Sequence, residues 1–543
     1  MSRYYVISPN VEGNGDFREY LEQMFHEHTI MMGWSPEAPK GRVFDRMEIG
    51  DYVICARGAN SGKEVFFAGR VSSGNTKVWP FTRKLTGFVD LRNDTVRFTE
   101  ANAYGASSQP PAIYELKREN EADNNICEYI KSKVDKMKSR ENLQTMINVL
   151  KRKKNIILQG APGTGKTYTT AEIALNICGI DTSSLSREQM MKKYAELNSK
   201  GQIAFSTFHQ TMDYDDFIEG MRPQLENGQV TYDVEDGIFK RICQDARIKD
   251  ESNFDECYDK LIAAIQNTDY YPLTSSGGAK FHVTVNSKLN LTLMTGENKN
   301  MNGVLTKESI RLEYFGHGPK AWVGYYKGVV NKLYSDFGLK KPSHSENKNY
   351  VLIIDEINRG NVSKIFGELI TLLEADKREG KTDCVSARLS YSNMDFTVPD
   401  NLYIIGTMNT TDRSVGSIDY AIRRRFAFCT LESEWEIAEN SYQDKAEKEE
   451  AKALYCAVEN YIRQSAVDMD YEDLMVGHSY FMYKPDEPLE QRWKFEILPL
   501  LNEYYKDGIC SKSPLEGIRK KTDGKNEKKL YMQKFIEKYA PSL

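Results

Sequence analysis

The chain is short of everything that would staple, anchor or charge it strongly. Its nine cysteines form no C-x-x-C pair, and its seven histidines share no metal-ligand spacing with them. That leaves no sign of a zinc ribbon or a disulfide framework, and reduced thiols in a cytoplasmic protein are the simplest account. No apolar run approaches the roughly 18 residues of a membrane span, and Met1–Asn10 lacks a signal-peptide pattern. Charge of one sign is missing too: 73 Lys and Arg stand against 78 Asp and Glu, a net −5. Any contact with nucleic acid must therefore come from local arrangement. We also find no convincing carboxylate–lysine cluster of a metal-dependent nuclease.

What is present is a nucleoside-triphosphate site in two halves. Gly160-Ala161-Pro162-Gly163-Thr164-Gly165-Lys166-Thr167 reads as a P-loop, with Tyr168 opening the helix that follows. Glycines let the backbone turn its N–H groups onto phosphate oxygens, Lys166 reaches the β- and γ-phosphates, and Thr167 holds Mg²⁺. The apolar run Asn155–Gln159 before it and the helical pattern after it supply the strand–loop–helix context that this motif needs.

The second half is Val351-Leu352-Ile353-Ile354-Asp355-Glu356, a run apolar enough for a strand buried on both faces, tipped by two carboxylates. Open α/β sheets bind ligands at the C-terminal ends of their strands, so Asp355 is placed to reach Mg²⁺ and Glu356 to orient or deprotonate the attacking water. A further buried strand, Tyr403–Gly406, ends near Asn409, whose amide can position that water through the γ-phosphate. Arg423-Arg424-Arg425 are three adjacent guanidiniums at a helix end. Some of them are expected to meet phosphates or acids, and an arginine inserted into a neighbouring subunit's site stabilises transition-state charge.

At 543 residues the chain predicts about three domains. Residues 1–120 read as a small α+β module, with strands at Tyr4–Ser8, Asp51–Ala56 and Val65–Val71 and a helix over Asp16–His28. Residues 121–154 read as a solvated, basic helical linker: from Lys131 to Lys154 nine Lys or Arg face only Asp135 and Glu141. The nucleotide core is predicted over 155–430, interrupted by an insertion at about 250–349. There Phe281–Val285 and Leu289–Leu293 alternate like paired strands, and Tyr314, Phe315, Trp322, Tyr325 and Tyr326 are read as a subdomain core rather than a stacking platform for nucleic acid. Residues 431–543 form the C-terminal region.

Several runs together resemble one family. They are Phe208-His209-Gln210 with Tyr214 and Phe217-Ile218-Glu219-Gly220; Asp355-Glu356-Ile357-Asn358-Arg359-Gly360-Asn361; Ile365–Leu369; Met408-Asn409-Thr410 with Asp412-Arg413-Ser414; Arg423–Phe426; and Gly477-His478-Ser479-Tyr480-Phe481. The chain resembles McrB from roughly Asn142 to Tyr505, apart from the insertion. That resemblance implies an AAA+ P-loop core, a parallel sheet with helices on both faces and a C-terminal helical lid, working as a hexameric ring that hydrolyses GTP in preference to ATP. It also implies a separate McrC-like nuclease partner, Asn409 as sensor, Asp412 helping to place the water, and Arg424 or Arg425 serving the neighbouring protomer.

In residues 1–120, Tyr4–Asn10, Gly33-Trp34, Phe44, Met47, Gly50–Ile54 and Ala68–Val71 are similar to the EVE and YTH branch of PUA-like domains, which enclose a flipped modified base between aromatic walls. The resemblance implies double-stranded DNA carrying modified bases as ligand, with Trp34 and Trp79 as cage candidates and Tyr5, Ser8 and Asn10 near the pocket mouth; each tryptophan is equally a candidate for the core. The module's 15 basic residues balance 15 acidic ones, so a DNA face would have to come from a rim such as Arg57, Lys63, Arg70, Lys77, Arg83 and Lys84. The alternative reading is a MoxR-like ATPase that remodels a protein complex, with the N-terminal module as a protein or RNA adaptor.

Overall fold

The structure, a computed structural model, describes residues 2–11, 17–57, 64–94, 113–119, 121–226, 229–247, 253–296, 299–315, 318, 321–340, 348–412, 418–467 and 469–514. It divides into two compact units, 1–145 and 146–543.

The first unit is built on a six-stranded sheet in the order Thr29–Met32, Phe81–Asp90, Glu64–Val71, Tyr52–Arg57, Tyr4–Ile7, Ile113–Glu115. Tyr4–Ile7 runs parallel to Tyr52–Arg57, and the other pairings are antiparallel. The runs Tyr-Tyr-Val-Ile and Tyr-Val-Ile-Cys are apolar without alternation because the sheet is covered on both faces. Tyr5, Ile7, Val53 and Cys55 pack with Phe44 and Phe67 on one face; Tyr4, Val6, Tyr52 and Ile54 pack on the other with Cys127, Ile130 and Val134.

Those last three residues belong to the helix Glu121–Lys153, which corrects the expectation of a solvated linker. The two acids in its basic stretch are what fasten it. Asp135 accepts from the Tyr52 hydroxyl at 2.6 Å, and Glu141 accepts from the Gly87 N–H at 2.8 Å and from Thr86. The first unit therefore extends to residue 145.

The second unit holds a five-stranded parallel sheet in the order Ala427–Thr430, Asn155–Gly160, Leu402–Asn409, Tyr350–Asp355, Ile203–Thr207. The strand ending in Asn409 thus lies between the strand that leads into the P-loop and the strand that carries the carboxylates. The helix Lys166–Ile177 follows the P-loop as expected.

The insertion folds around its own core. A four-stranded antiparallel sheet, Tyr271–Thr274, Lys280–Val285, Leu291–Thr295 and Asn300–Leu305, packs with the helices Phe254–Gln266, Lys307–Tyr314 and Val323–Asp336 through Leu261, Phe281, Leu293 and Val329. Tyr314 and Tyr326 are buried in that core, while Trp322 stays half-exposed. Among the described residues beyond Thr430 the named elements are helices, and Trp435, Leu454, Val458, Phe481, Trp493 and Leu501 form a separate apolar cluster, the lid. Residues 515–543 of the predicted C-terminal region lie outside the described residues. Among the described residues no helix is long and apolar enough to cross a membrane.

Candidate active site

Parallel pairing puts the chemistry-bearing residues at one edge of the sheet. Asn409 is in register with Gly160, and Asp355 with Thr207. The loop after Gly160 turns through Gly163 at φ +81° and Gly165 at φ +83°, left-handed conformations that a side chain would strain. Lys166 is buried and folds back on this loop, its ammonium donating to the carbonyls of Gly160 and Ala161 at 2.9 Å each. Burial lowers its pKa to about 8, against the opposing pull of Glu356 and Asp355. Both acceptors are neutral carbonyls that a phosphate oxygen can replace.

Thr407 ties the two carboxylate residues together. Its hydroxyl donates to Asp355 Oδ1 at 2.5 Å and accepts from the Glu356 N–H at 3.2 Å. Glu356 sits at φ +52°, ψ +45°, a left-handed backbone that costs a non-glycine residue on the order of 1 kcal/mol or more and that clusters at functional sites. This bend aims its carboxylate across the strand tips, where Oε1 accepts from Asn409 Nδ2 at 2.5 Å and Oε2 from Arg359 Nε at 3.3 Å. Arg359 also reaches Asp412 at 3.4 Å, so one guanidinium bridges the two acids expected to handle the water. Thr407 and Arg359 escaped the sequence reading of roles. Thr407 could have been found from its position two residues before Asn409, on the same face of a strand.

Asp355 and the exposed Thr167 both line a cavity of about 430 Å³, together with Arg187, Met191, Tyr194 and Phe205. One hydroxyl and one carboxylate, completed by phosphate oxygens and water, suit the octahedral preference of Mg²⁺.

The lid closes directly onto the P-loop. Gly477 and Ser479 donate their N–H groups to the carbonyls of Pro162 and Gly163 at 3.0 and 3.1 Å. A side-chain carbon on Gly163 would lie 2.5 Å from the Ser479 hydroxyl.

The three arginines divide. Arg425 is turned inward, 11% exposed, with Glu374 at 3.1 Å and the Ala421 carbonyl at 2.8 Å. Arg423 lies over the Phe428 ring at 5.2 Å. Arg424 is 75% exposed, touching only the edge of Glu374 at 3.5 Å. Of the two candidates for a neighbouring site, Arg425 is committed within its own subunit and Arg424 is presented outward. Arg413 and Ser414 lie outside the described residues.

In the first unit Trp34 and Trp79 are 44% and 50% exposed, so neither is a core residue. They are neighbours: the Trp79 indole N–H donates to the Gly33 carbonyl at 3.2 Å, and Lys40 stands 4.8 Å over the Trp34 ring. Gly33 lies so close to the Val11 backbone that a side-chain carbon would come within 1.9 Å of the Val11 carbonyl oxygen. The Asn10 N–H donates to Ser8 Oγ at 3.3 Å. Tyr5 is corrected: it is 1% exposed and packed inside the sheet's core, not at a mouth. The expected basic rim also shrinks. Arg83 is buried against the carbonyls of Phe44 and Asp45, and Arg70 donates to that of Gly50. Lys63 lies outside the described residues.

Comparison with known proteins agrees with this geometry. Residues 323–426 match the family described as AAA domain (dynein-related subfamily), and residues 454–510 match the McrB alpha-helical lid domain. The chain is 29% identical over 381 residues, 67% of its length, to the type IV methyl-directed restriction enzyme EcoKMcrB subunit of Escherichia coli (strain K12). It is 35% identical over 96 residues, 16% of its length, to the type II restriction enzyme BsuMI component YdiS of Bacillus subtilis (strain 168). The matched stretches span 57% and 28% of those two proteins. The chain thus joins a parallel sheet, part of which matches an AAA domain, to a helical region that matches the McrB lid, and it is similar to a McrB subunit over 67% of its length.

Proposed function

We propose that this chain is the nucleotide-hydrolysing ring motor of a modification-dependent restriction system, preferring GTP, reading modified DNA through its N-terminal unit and driving a separate McrC-like nuclease. The observation that carries the motor is the contact between Asn409 and Glu356 at the strand tips beside the P-loop. The P-loop N–H groups and Lys166 hold the phosphates, with the lysine exchanging its loop carbonyls for phosphate oxygens. Thr167 and Asp355 would hold Mg²⁺, which would supply charge neutralisation at the phosphates. Asn409 holds Glu356 in place, and Glu356 takes the proton of the attacking water as its oxygen bonds to the γ-phosphorus in line with the β-phosphate oxygen that leaves. Asp412, linked through Arg359, keeps Glu356 oriented. Arg424 completes the site of the next subunit in a homo-oligomer, a hexamer by family likeness.

Two half-exposed indoles on adjoining segments of the first unit support an EVE/YTH-like pocket, because an exposed aromatic face can stack on a flipped base. Stacking on one aromatic contributes about 1–3 kcal/mol per base. Trp34→Ala is therefore expected to erase the preference for modified over plain DNA, measured by competition binding, while leaving nucleotide turnover unchanged. An unaltered preference would remove Trp34 from the pocket.

The test of the whole reading is turnover of GTP and ATP by the purified protein, with and without the product of the adjacent gene. GTP hydrolysis stimulated by that partner is the expected result. Strict ATP use with no response to it would instead fit a remodelling ATPase.

A further inference from the structure

We infer that His478 is a nucleotide-binding residue, donating a hydrogen bond from Nε2 to the diphosphate part of the bound nucleotide; this rests on the nucleotide site proposed for the P-loop. His478 lies between two lid residues whose backbones are fastened to that loop, Gly477 to Pro162 and Ser479 to Gly163. The approach is as close as backbones permit. A side-chain carbon on Gly477 would stand 2.0 Å from the carbonyl carbon of Gly163, so only glycine fits.

Between these two anchored neighbours the His478 side chain is buried, 6% exposed. Its Nδ1 accepts a long hydrogen bond, 3.5 Å, from the Glu434 N–H, which leaves the ring proton on Nε2. Burial lowers the histidine's pKa, only partly offset by Glu434, and this favours the neutral ring with that single donor. Nε2 has no hydrogen-bond partner among the described residues. It faces the P-loop turn, 3.6 Å from where a side-chain carbon on Gly165 would stand. Gly165 caps the helix Lys166–Ile177, the end at which backbone N–H groups gather on an anion. A nearly buried donor without a partner, aimed at the loop that cradles phosphate, is completed by a phosphate oxygen. The lid would then sense the nucleotide through this one side chain.

The experiment measures affinity for GTP and GDP, with ATP and ADP in parallel, on the full chain and on His478→Phe, His478→Gln and Lys166→Ala. Phenylalanine keeps the ring's bulk without its donor, and glutamine keeps a donor at the ε position with an acceptor for Glu434. We expect His478→Phe to weaken triphosphate and diphosphate alike by about tenfold, the scale of a hydrogen bond to a charged group. His478→Gln should stay within about threefold of the parent. Wild-type affinity in His478→Phe, or equal losses in both substitutions, would overturn the inference and return His478 to packing. Nucleotide binding by the parent that is lost in Lys166→Ala keeps the proposed site standing whichever way His478 falls. A parent that binds no nucleotide overturns both.

Discussion

Glu356→Gln is expected to lower nucleotide hydrolysis by about two to four orders of magnitude, the usual contribution of a general base, while nucleotide binding changes little. The substitution is nearly isosteric, and the glutamine carbonyl can still accept from Asn409, 2.5 Å away in the parent. What is lost is the ability to take a proton. The amide nitrogen would also face Arg359 Nε, another donor, where the carboxylate accepts at 3.3 Å, so the hold on the side chain loosens as well. Binding survives because the phosphates are held by the P-loop backbone and by Lys166, whose charge bound phosphate itself favours when the pull of Glu356 is removed. Phosphate release and nucleotide affinity measured on one preparation separate the two effects. Loss of affinity would sink the assignment of Glu356 as the base.

Arg424→Ala is expected to lower turnover by about a thousandfold or more in the assembled ring, as removal of an arginine acting in trans does. Its guanidinium is 75% exposed and makes one marginal contact at home, so the subunit should fold and bind nucleotide normally. Arg425→Ala should behave differently. That side chain closes the helix Tyr420–Arg425 onto Glu374, and removing it leaves a carboxylate that is 14% exposed without its main partner. A lower melting temperature is the expected outcome, with lost activity following lost fold. Mixing supplies the decisive comparison. An Arg424→Ala subunit keeps its own Glu356, and a Glu356→Gln subunit keeps its own Arg424. Rings formed from both should regain turnover at the junctions where the intact halves meet. Mixed rings as inactive as either parent would remove Arg424 from the neighbour's site.

Much of the nucleotide site could be read from the chain because its parts are local. A loop that wraps phosphate with successive N–H groups must be contiguous, and a buried strand that ends in two acids announces itself within six residues, Val351–Glu356. Two of the insertion's four strands were legible for the same reason, since antiparallel neighbours alternate over short spans. The helix over 121–153 was legible as a helix and misread as a linker. Its sequence carries a charge pattern that suits water equally well, and nothing local shows that Asp135 will find the Tyr52 hydroxyl or Glu141 the Gly87 N–H.

The sequence by itself determined which groups can do chemistry here: a phosphate loop, two carboxylates, an amide and a run of arginines, each defined by residue type and near spacing. Only the tertiary structure decided how they act together. Parallel strands that are not consecutive in the chain bring Asn409 to Glu356 and Thr407 to Asp355. A helix packed on one side turns Arg425 inward and leaves Arg424 outside. A lid loop from far along the chain sets His478 against Gly165. The physical reason is common to all three. Hydrogen bonds and charge contacts act over a few ångströms, and which residues come that close is settled by how buried surfaces pack, a property of the whole fold that no local window contains.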